Sequence, residues 1–219
     1  MQLILAWAVR VGHYLFILKV PIKHASCLKF VSSEKTKKLL YQKYLFITIT
    51  MINFCQQNLQ QINDVMQNID DEIYTKKSSL LSNGTIGQHI RHVIEFYTCL
   101  LDQCDAKMVN YDTRKRDLYL ENDKLFAKET ISAIIDALQK HKTNYAITLL
   151  CNFTQVDNEI HNLPTSLHRE LAFCLEHSIH HQALIKIALL EFKMEHVIPV
   201  KFGMAPSTIR AQLNMARSS

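Results

Sequence analysis

Residues 166–192 read SLHRELAFCLEHSIHHQALIKIALLEF, and this stretch decides the fold class. Its apolar side chains recur every three or four positions, which predicts one long amphipathic helix that begins at Ser166 and ends near Phe192. At about 100° per residue, His177 and His181 lie about 40° apart around this helix, and both fall within the apolar stripe. His180 lies on the flank of the stripe. We therefore expect two imidazoles that point into a helical core.

The residues before this helix predict further helices and one hairpin. An apolar stripe over residues 51–69 predicts a first helix, and the capping-box sequence TIGQ at residues 85–88 predicts a second helix over 86–104. Asp123 can cap a third helix that ends near His141. Alternating apolar residues over 145–163 predict a short hairpin. The predicted buried residues of the third helix are Leu125, Phe126, Ile131, Ile134, Ile135 and Leu138.

This pattern, together with only four Gly and four Pro in 219 residues, excludes a turn-rich all-β protein. We predict an all-α fold: an antiparallel four-helix bundle with a short β-hairpin before the last long helix. A further helix is expected in the tail, from Ser207.

The first fifty residues differ from the rest of the chain in charge. Eight of the 25 Lys and Arg residues but only one of the 20 Asp and Glu residues lie there, so residues 1–50 carry +7 and residues 51–219 carry −2. We therefore expect a basic, partly apolar extension over 1–50 and a helical domain over 51–219. The negative charge of the domain gives no support for binding nucleic acid.

The extension begins with an apolar run over residues 3–20. Arg10 and His13 interrupt this run, and no charged segment precedes it, so it fits neither a signal peptide nor a membrane anchor. Two alternatives stay open: a basic helix that binds an anionic membrane surface, and translation that starts at Met51. Six cysteines without CxxC spacing indicate a reducing compartment, and we expect a cytoplasmic protein.

The histidines are the candidates for chemistry. Two buried imidazoles one helical turn apart need hydrogen bonds or a metal, and the i, i+4 spacing of His177 and His181 suits two nitrogen ligands on one divalent ion. The second helix offers His89 or His92 as a third ligand. Its apolar stripe lies nearer His89, so periodicity favours His89. Hydrogen-bonded core histidines are the alternative.

Residues 85–92, TIGQHIRH, together with SLHREL at 166–171 and EHSIHH at 176–181, resemble the DinB-like (DinB/YfiT) superfamily of metal-binding four-helix bundles. The resemblance covers residues 52–210. It implies three histidine ligands, which by their place in the motifs are His92, His177 and His181. His89 is then a supporting residue or an alternative ligand. The implied cofactor is a divalent metal ion, zinc or nickel, or in some members iron or manganese.

The resemblance also implies an activity. Characterised relatives include thiol-dependent S-transferases and isomerases, in which the metal activates a small thiol, and some relatives are hydrolase-like. A three-ligand divalent ion lowers the pKa of a bound thiol or water. We therefore expect transfer to, or hydrolysis of, a small electrophilic substrate, with a low-molecular-weight thiol as partner. The alternative is a non-catalytic metal-binding or stress-response bundle, and a homodimer is compatible with both.

Loop residues are candidates for substrate binding. Arg114 and Arg116 lie in YDTRKRD at 111–117, which resembles a loop of one DinB-like subgroup, and two guanidinium groups can bind a carboxylate or phosphate over the metal. The alternative is an exposed loop in which these arginines pair with Asp112 and Asp117.

The remaining candidates lie close to the predicted ligands. Glu95, one turn beyond His92, could orient that histidine or move protons, and an exposed helix glutamate is the alternative. Cys174, one turn before His177, is more typical of a core residue than of a nucleophile. Residues 202–208, FGMAPST, either cover the site or close the bundle.

Overall fold

The computed structural model describes residues 4–11, 14–21, 34–141, 143–156 and 159–218. Most of these residues are helical. The helices are α1 (Glu34–Gln67), α2 (Asp71–Thr75), α3 (Ile86–Gln103), α4 (Tyr119–Asn122), α5 (Lys124–Leu138), α6 (Leu167–Glu191) and α7 (Pro206–Ser218). The strands are β1 (Ile4–Val11), β2 (Tyr14–Pro21), β3 (Met108–Val109), β4 (Ala146–Cys151) and β5 (His161–Ser166).

The caps predicted from the sequence start the helices that carry the site. Gln88 donates its backbone N–H to Thr85 Oγ1 at 3.0 Å, and the Thr85 N–H donates to Gln88 Oε1 at 3.2 Å, which completes the capping box of α3. Asp123 and Ser166 cap α5 and α6 in the same manner, each accepting a backbone N–H from the first turn. The predicted starts of these three helices are confirmed.

The hairpin before α6 is also confirmed. Strands β4 and β5 pair antiparallel, from Ala146 opposite Ser166 to Cys151 opposite His161. Strand β3 pairs parallel with β4 and completes a small sheet. The sequence did not predict β3, because two residues are too few to show an alternating pattern. The fold is therefore mostly helical with a small sheet, and not purely α.

The N-terminal residues form a unit that is described by itself. The chain divides into Met1–Tyr44 and Leu45–Ser219. In the first unit, β1 and β2 pair antiparallel over their full lengths, so most of the apolar run over 3–20 forms strands. The alternative of a basic helix that binds an anionic membrane surface stays a prediction. The run is rich in β-branched and aromatic residues, which favour strands. Among the described residues, no helix is both long enough and apolar enough to cross a membrane.

Helix α1 begins at Glu34, well before the predicted start at Met51, so it crosses the predicted boundary at residue 50. The division of the chain at that boundary stays a prediction. The apolar stripe predicted for this helix is buried as expected. Its members are Ile52, Cys55, Leu59, Ile62, Val65, Met66 and, just beyond the end of α1, Ile69.

Helices α1, α3, α5 and α6 share one hydrophobic core. On α1, Cys55 Sγ contacts the Leu171 carbonyl of α6 at 3.7 Å, and Gln56 Nε2 donates to the Ile135 carbonyl of α5 at 2.8 Å. The prediction that Leu125 and Phe126 are buried is wrong, since they are 64% and 40% exposed. Both stand in the first turn of α5, and its fully buried face begins only at the next residue.

A group of buried polar side chains lies between α6 and α1. We call Asn58, Ser178 and Gln182 the amide–hydroxyl cluster. Ser178 Oγ donates to Asn58 Oδ1 at 2.5 Å, and Gln182 Nε2 donates to the Asn58 carbonyl at 2.9 Å. Gln182 Oε1 accepts the Gly203 N–H at 3.1 Å. These polar groups are thus buried with hydrogen-bond partners, as stable cores require.

The segment after α6 closes the core. Phe202 is fully buried, and Gly203 adopts a φ of +67°. A Cβ on Gly203 would lie 2.6 Å from Ala183 Cα, so only glycine allows this close approach to α6. Of the two predicted roles for residues 202–208, the structure therefore supports closure of the core.

A second glycine allows α4 to pack on α3. A Cβ on Gly87 would overlap the carbonyl oxygen of Glu121 and lie 2.8 Å from the Tyr74 ring. The Tyr74 hydroxyl donates to the Leu120 carbonyl at 2.5 Å, which holds α4 at the same contact. Gly87 therefore sets the position of α4 beside the first turn of α3.

Candidate metal centre

Four imidazoles meet where α3 packs against α6. We call His89, His92, His177 and His181 the imidazole cluster. The ring centroids of His92, His177 and His181 lie 4.6 to 5.0 Å apart. One nitrogen atom of each of these three rings lies within 4.8 Å of the other two. The structure thus brings together the three histidines singled out by the sequence, and their binding of a metal stays a prediction.

The fourth imidazole lies in hydrogen-bond contact with His181. His89 Nδ1 lies 2.9 Å from His181 Nδ1, so one of the two rings donates a hydrogen bond to the other. If His181 donates, its Nε2 carries the free lone pair and can bind a metal. A hydrogen-bond acceptor on the other ring nitrogen fixes the tautomer and orientation of a histidine ligand, and neutral His89 could be that acceptor. This contact favours the supporting role of His89 over the role of third ligand that periodicity predicted.

One nitrogen of the cluster has no partner in the described part of the chain. His177 Nε2 is buried there without a hydrogen bond. The ring lies against two aromatic side chains, with centroid distances of 4.6 Å to Phe96 and 5.6 Å to Phe173. An unpaired buried nitrogen costs about 1–3 kcal/mol. A metal ion would remove this penalty, so the residues present fit a metal.

The electrostatics of the cluster keep its rings neutral. Burial lowers the pKa of all four histidines, and neighbouring positive groups add to this effect. The pKa of His92 falls to about 4 and that of His181 to about 3. At pH 7 the four imidazoles are therefore uncharged, which is the form that coordinates metal ions.

Glu95 is buried rather than exposed, with 3% of its surface accessible. Its Oε1 lies 3.4 Å from Arg91 Nε and accepts the backbone N–H of Asp117 at 3.1 Å, and its Oε2 lies 3.7 Å from Arg114 Nε. No hydrogen bond joins it to His92 among the described residues. The carboxylate therefore fixes the loop of residues 111–117 against α3, a role that its neighbours in sequence could not reveal.

The two loop arginines have different surroundings. Arg114 donates to the Tyr111 carbonyl at 2.9 Å and lies over the Phe96 ring at 5.0 Å. It is close enough to the imidazole cluster to lower the pKa of His92 and His177. Arg116 is exposed and forms no ion pair within the described part of the chain. Substrate binding by these two residues stays a prediction.

An open cleft of about 540 Å³ leads to the cluster. Besides His89, His92 and His181, its walls are the loop of residues 81–84, Gln88 and Arg91. Arg91 forms an ion pair with Glu121 at 2.5 Å. No motif in the sequence pointed to Arg91 or to the loop. The position of Arg91 between two candidate histidines is the signal that could have indicated it.

The residues just before the loop of residues 81–84 are anchored to the end of α6. Glu191 accepts hydrogen bonds from the Ser78 hydroxyl and from the backbone and hydroxyl of Ser79. These bonds lower the pKa of Glu191 to about 2. The anchor holds the loop on α6, the helix that carries His177 and His181.

Cys174 belongs to the core, as its pattern indicated. It is almost fully buried, and its Sγ lies 3.7 Å from the Tyr111 hydroxyl. Burial raises the pKa of the thiol, so the reactive thiolate is disfavoured.

Part of the chain is similar in sequence to a known fungal protein. No protein-family model matches the chain, and no solved structure matches it. The chain is similar to FK506-binding protein 5 of Rhizopus delemar, with 28% identity over 164 residues. The alignment covers 74% of this chain and 37% of that protein, so the chain spans little more than a third of its length.

Proposed function

We propose that the chain is a metal-dependent enzyme of the DinB-like superfamily, in which His92, His177 and His181 hold one divalent metal ion. In this proposal α1, α3, α5 and α6 form the antiparallel four-helix bundle of that superfamily. The support is the resemblance of the TIGQHIRH and EHSIHH motifs, together with the shared core of these four helices.

The observation that carries the proposal is the unpaired His177 Nε2. Buried polar atoms in stable proteins are nearly always hydrogen-bonded, so an exception needs an explanation. The explanation is specific here, because His177, His92 and His181 each offer a nitrogen within 4.8 Å of those of the other two rings. Zinc and nickel are the expected ions, since imidazole nitrogen suits both.

An open, three-ligand site favours catalysis over a purely structural role. Structural zinc sites have four protein ligands, whereas catalytic sites have three and an open position. A divalent ion held by three imidazoles supplies a thiol or water nucleophile near neutral pH. His89 would keep the His181 ring in one tautomer, and Phe96 and Phe173 keep water from one side of His177. The cleft beside Arg91 would admit the substrate.

The substrate class is a small electrophile, and the cosubstrate of a transferase would be a low-molecular-weight thiol. The polar loop of residues 81–84 and the guanidinium of Arg91 line the cleft, which suits a substrate with a polar or anionic group. FK506 binding is not part of the proposal, because the Rhizopus protein that carries the name is matched over only 37% of its length.

The test is elemental analysis of the purified chain beside a His177→Ala/His181→Ala double variant. We expect the parent to hold about one equivalent of metal per chain more than the double variant, because two of the three ligands of the imidazole cluster are lost. His180→Ala is the matched control, since His180 is an exposed histidine on the same helix turn. It should keep its metal.

The catalytic part is tested on the metal-loaded chain with a panel of small electrophiles, with and without thiol. Turnover that requires a thiol identifies a transferase, and turnover with water alone identifies a hydrolase. A loaded, folded chain that is inactive in both assays contradicts the enzyme proposal and favours the non-catalytic metal-binding bundle. Absence of metal after reconstitution contradicts the metal site itself.

A further inference from the structure

A second cluster of metal-ligand side chains lies at the other end of α3. Cys104 and Asp105 stand in the 3₁₀ turn Cys104–Ala106 that follows α3, and His141 stands just after α5. One donor atom of each residue lies within 4.8 Å of the other two. Cys104 is twelve residues along the chain from His92, or about 18 Å along a helix axis, so this cluster is distinct from the imidazole cluster.

The donor set is that of a zinc-type ion. Thiolate sulfur, imidazole nitrogen and carboxylate oxygen bind Zn²⁺ at about 2.0–2.3 Å, which places tetrahedral donors about 3.5 Å apart. The observed separations are at most 4.8 Å, so small side-chain rotations complete the geometry. One thiolate and one carboxylate also balance the charge of a divalent cation, whereas the neutral imidazole adds none.

The burial of the three residues suits a bound ion with an entry path. Cys104 is fully buried, His141 is half-buried and Asp105 is exposed. A cation can therefore reach the thiol past Asp105. Cys104 and Asp105 are adjacent in sequence, so the backbone keeps them together. His141 comes from the end of another helix and is held near them only by the packing of the fold.

Two neighbouring lysines oppose cation binding, since the positive charges of Lys140 and Lys107 both act on His141. Lys107 Nζ lies 3.4 Å from the centroid of the Tyr145 ring, and its positive charge acts on both Cys104 and His141. A cation at the cluster would be repelled by this ammonium group, and Asp105 offsets the repulsion. Lys107 is thus a position where a substitution should strengthen binding.

We propose that Cys104, Asp105 and His141 bind a divalent, zinc-type cation that links the end of α3 to the end of α5. The bound ion would link two helix ends directly. Along the chain, these ends are separated by residues 106–123 and the whole of α5. This site does not depend on the imidazole cluster or on catalysis.

The test is a Co²⁺ titration of the full chain after chelation, followed by absorption spectroscopy. Cobalt bound to a thiolate absorbs in the near-ultraviolet by charge transfer from sulfur, and cobalt bound to three histidines does not. We expect a band whose full intensity corresponds to about one thiolate-bound Co²⁺ per chain. It should persist in His177→Ala/His181→Ala, which separates this site from the proposed function.

Cys104→Ser and His141→Ala should abolish the band, and Cys99→Ser is the matched control because it removes another buried thiol of α3. Asp105→Asn should weaken binding at least about tenfold, and Lys107→Met should strengthen it. Asp105 is exposed, so its variant keeps the test valid if the others fail to fold. Absence of the band in the folded parent, or a band that survives in Cys104→Ser, overturns the proposal.

Discussion

Helix α6 carries two buried polar groups on two of its sides, and they differ in how their hydrogen bonds are satisfied. Toward α1, the amide–hydroxyl cluster pairs Ser178 and Gln182 with Asn58 at 2.5 and 2.9 Å. Toward α3, His177 Nε2 is buried without a partner in the described part of the chain. Residues of the two groups alternate along the same two turns of α6, so both groups stand on the same stretch of regular helix.

The comparison separates a structural polar group from a candidate site. The amide–hydroxyl cluster is buried throughout, whereas three of the four imidazoles are half-buried beside an open cleft. The difference is that one uses its polar atoms inside the protein and the other keeps nitrogen lone pairs available. A bound ligand can stabilise only the imidazole cluster. Substitutions there should therefore change metal affinity, whereas substitutions in the amide–hydroxyl cluster should change the stability of the metal-free chain.

The largest effect is expected for metal affinity in His181→Ala. Removal of a ligand should weaken Zn²⁺ binding more than about 100-fold, since loss of a supporting residue alone gives 10- to 100-fold. Isothermal titration with Zn²⁺ measures the affinity. Ser178→Ala, on the other side of α6, should leave it within about twofold. An equal loss in both variants would show that the two clusters are not independent.

A smaller loss of affinity is expected for His89→Ala. All three proposed ligands remain, but His181 loses the ring that fixes its orientation, so Zn²⁺ binding should weaken about 10- to 100-fold. The control is His180→Ala, because its exposed ring lies 5.5 Å from that of His181 and shares no hydrogen bond with it. If the two variants bind Zn²⁺ equally well, the supporting role of His89 is wrong.

In the amide–hydroxyl cluster, the expected change is in stability. Ser178→Ala leaves the Asn58 side chain without its donor in a buried position, which should lower the free energy of unfolding by about 1–3 kcal/mol. Urea unfolding of the metal-free chain measures it. Zn²⁺ should raise the stability of this variant as much as that of the parent. A variant that Zn²⁺ no longer stabilises would contradict the separation.

The smallest effect is expected from pH. The folded histidines of the imidazole cluster have pKa values below the usual 6.5, so the unfolded chain binds more protons as the pH falls. The free energy of unfolding of the metal-free chain should therefore decline as the pH falls from about 6.5 toward 4. His177→Ala/His181→Ala should flatten this decline. The amide–hydroxyl cluster has no titratable group and should add nothing.

The helices and their starts could be predicted from the sequence because their signals are local. Thr85, Asp123 and Ser166 cap the helices that their patterns indicated, and the stripe of α1 is buried. The start of α1 and strand β3 could not be predicted. The first lies in a segment set apart by its charge, and the second is defined only by its partner β4.

The meeting of His92, His177 and His181 followed from motif resemblance rather than from periodicity, which favoured His89. Periodicity gives the face of a helix but not the height at which two helices meet. The buried position of Glu95 could not be predicted for a related reason, because Arg114 reaches it from a loop nineteen positions later. Pairings of this kind depend on tertiary structure.

The close contact between Gly87 and the Glu121 carbonyl has a consequence for saturation mutagenesis. Gly87 has no side chain to bind a metal and is not part of the walls of the cleft beside the imidazole cluster, yet every larger residue there would displace α4. The displacement would break the Arg91–Glu121 ion pair and alter the wall of the cleft. Substitutions of Gly87 should therefore lower the proposed activity, as substitutions of the histidines should. Unlike the histidine variants, the Gly87 variants should keep their metal.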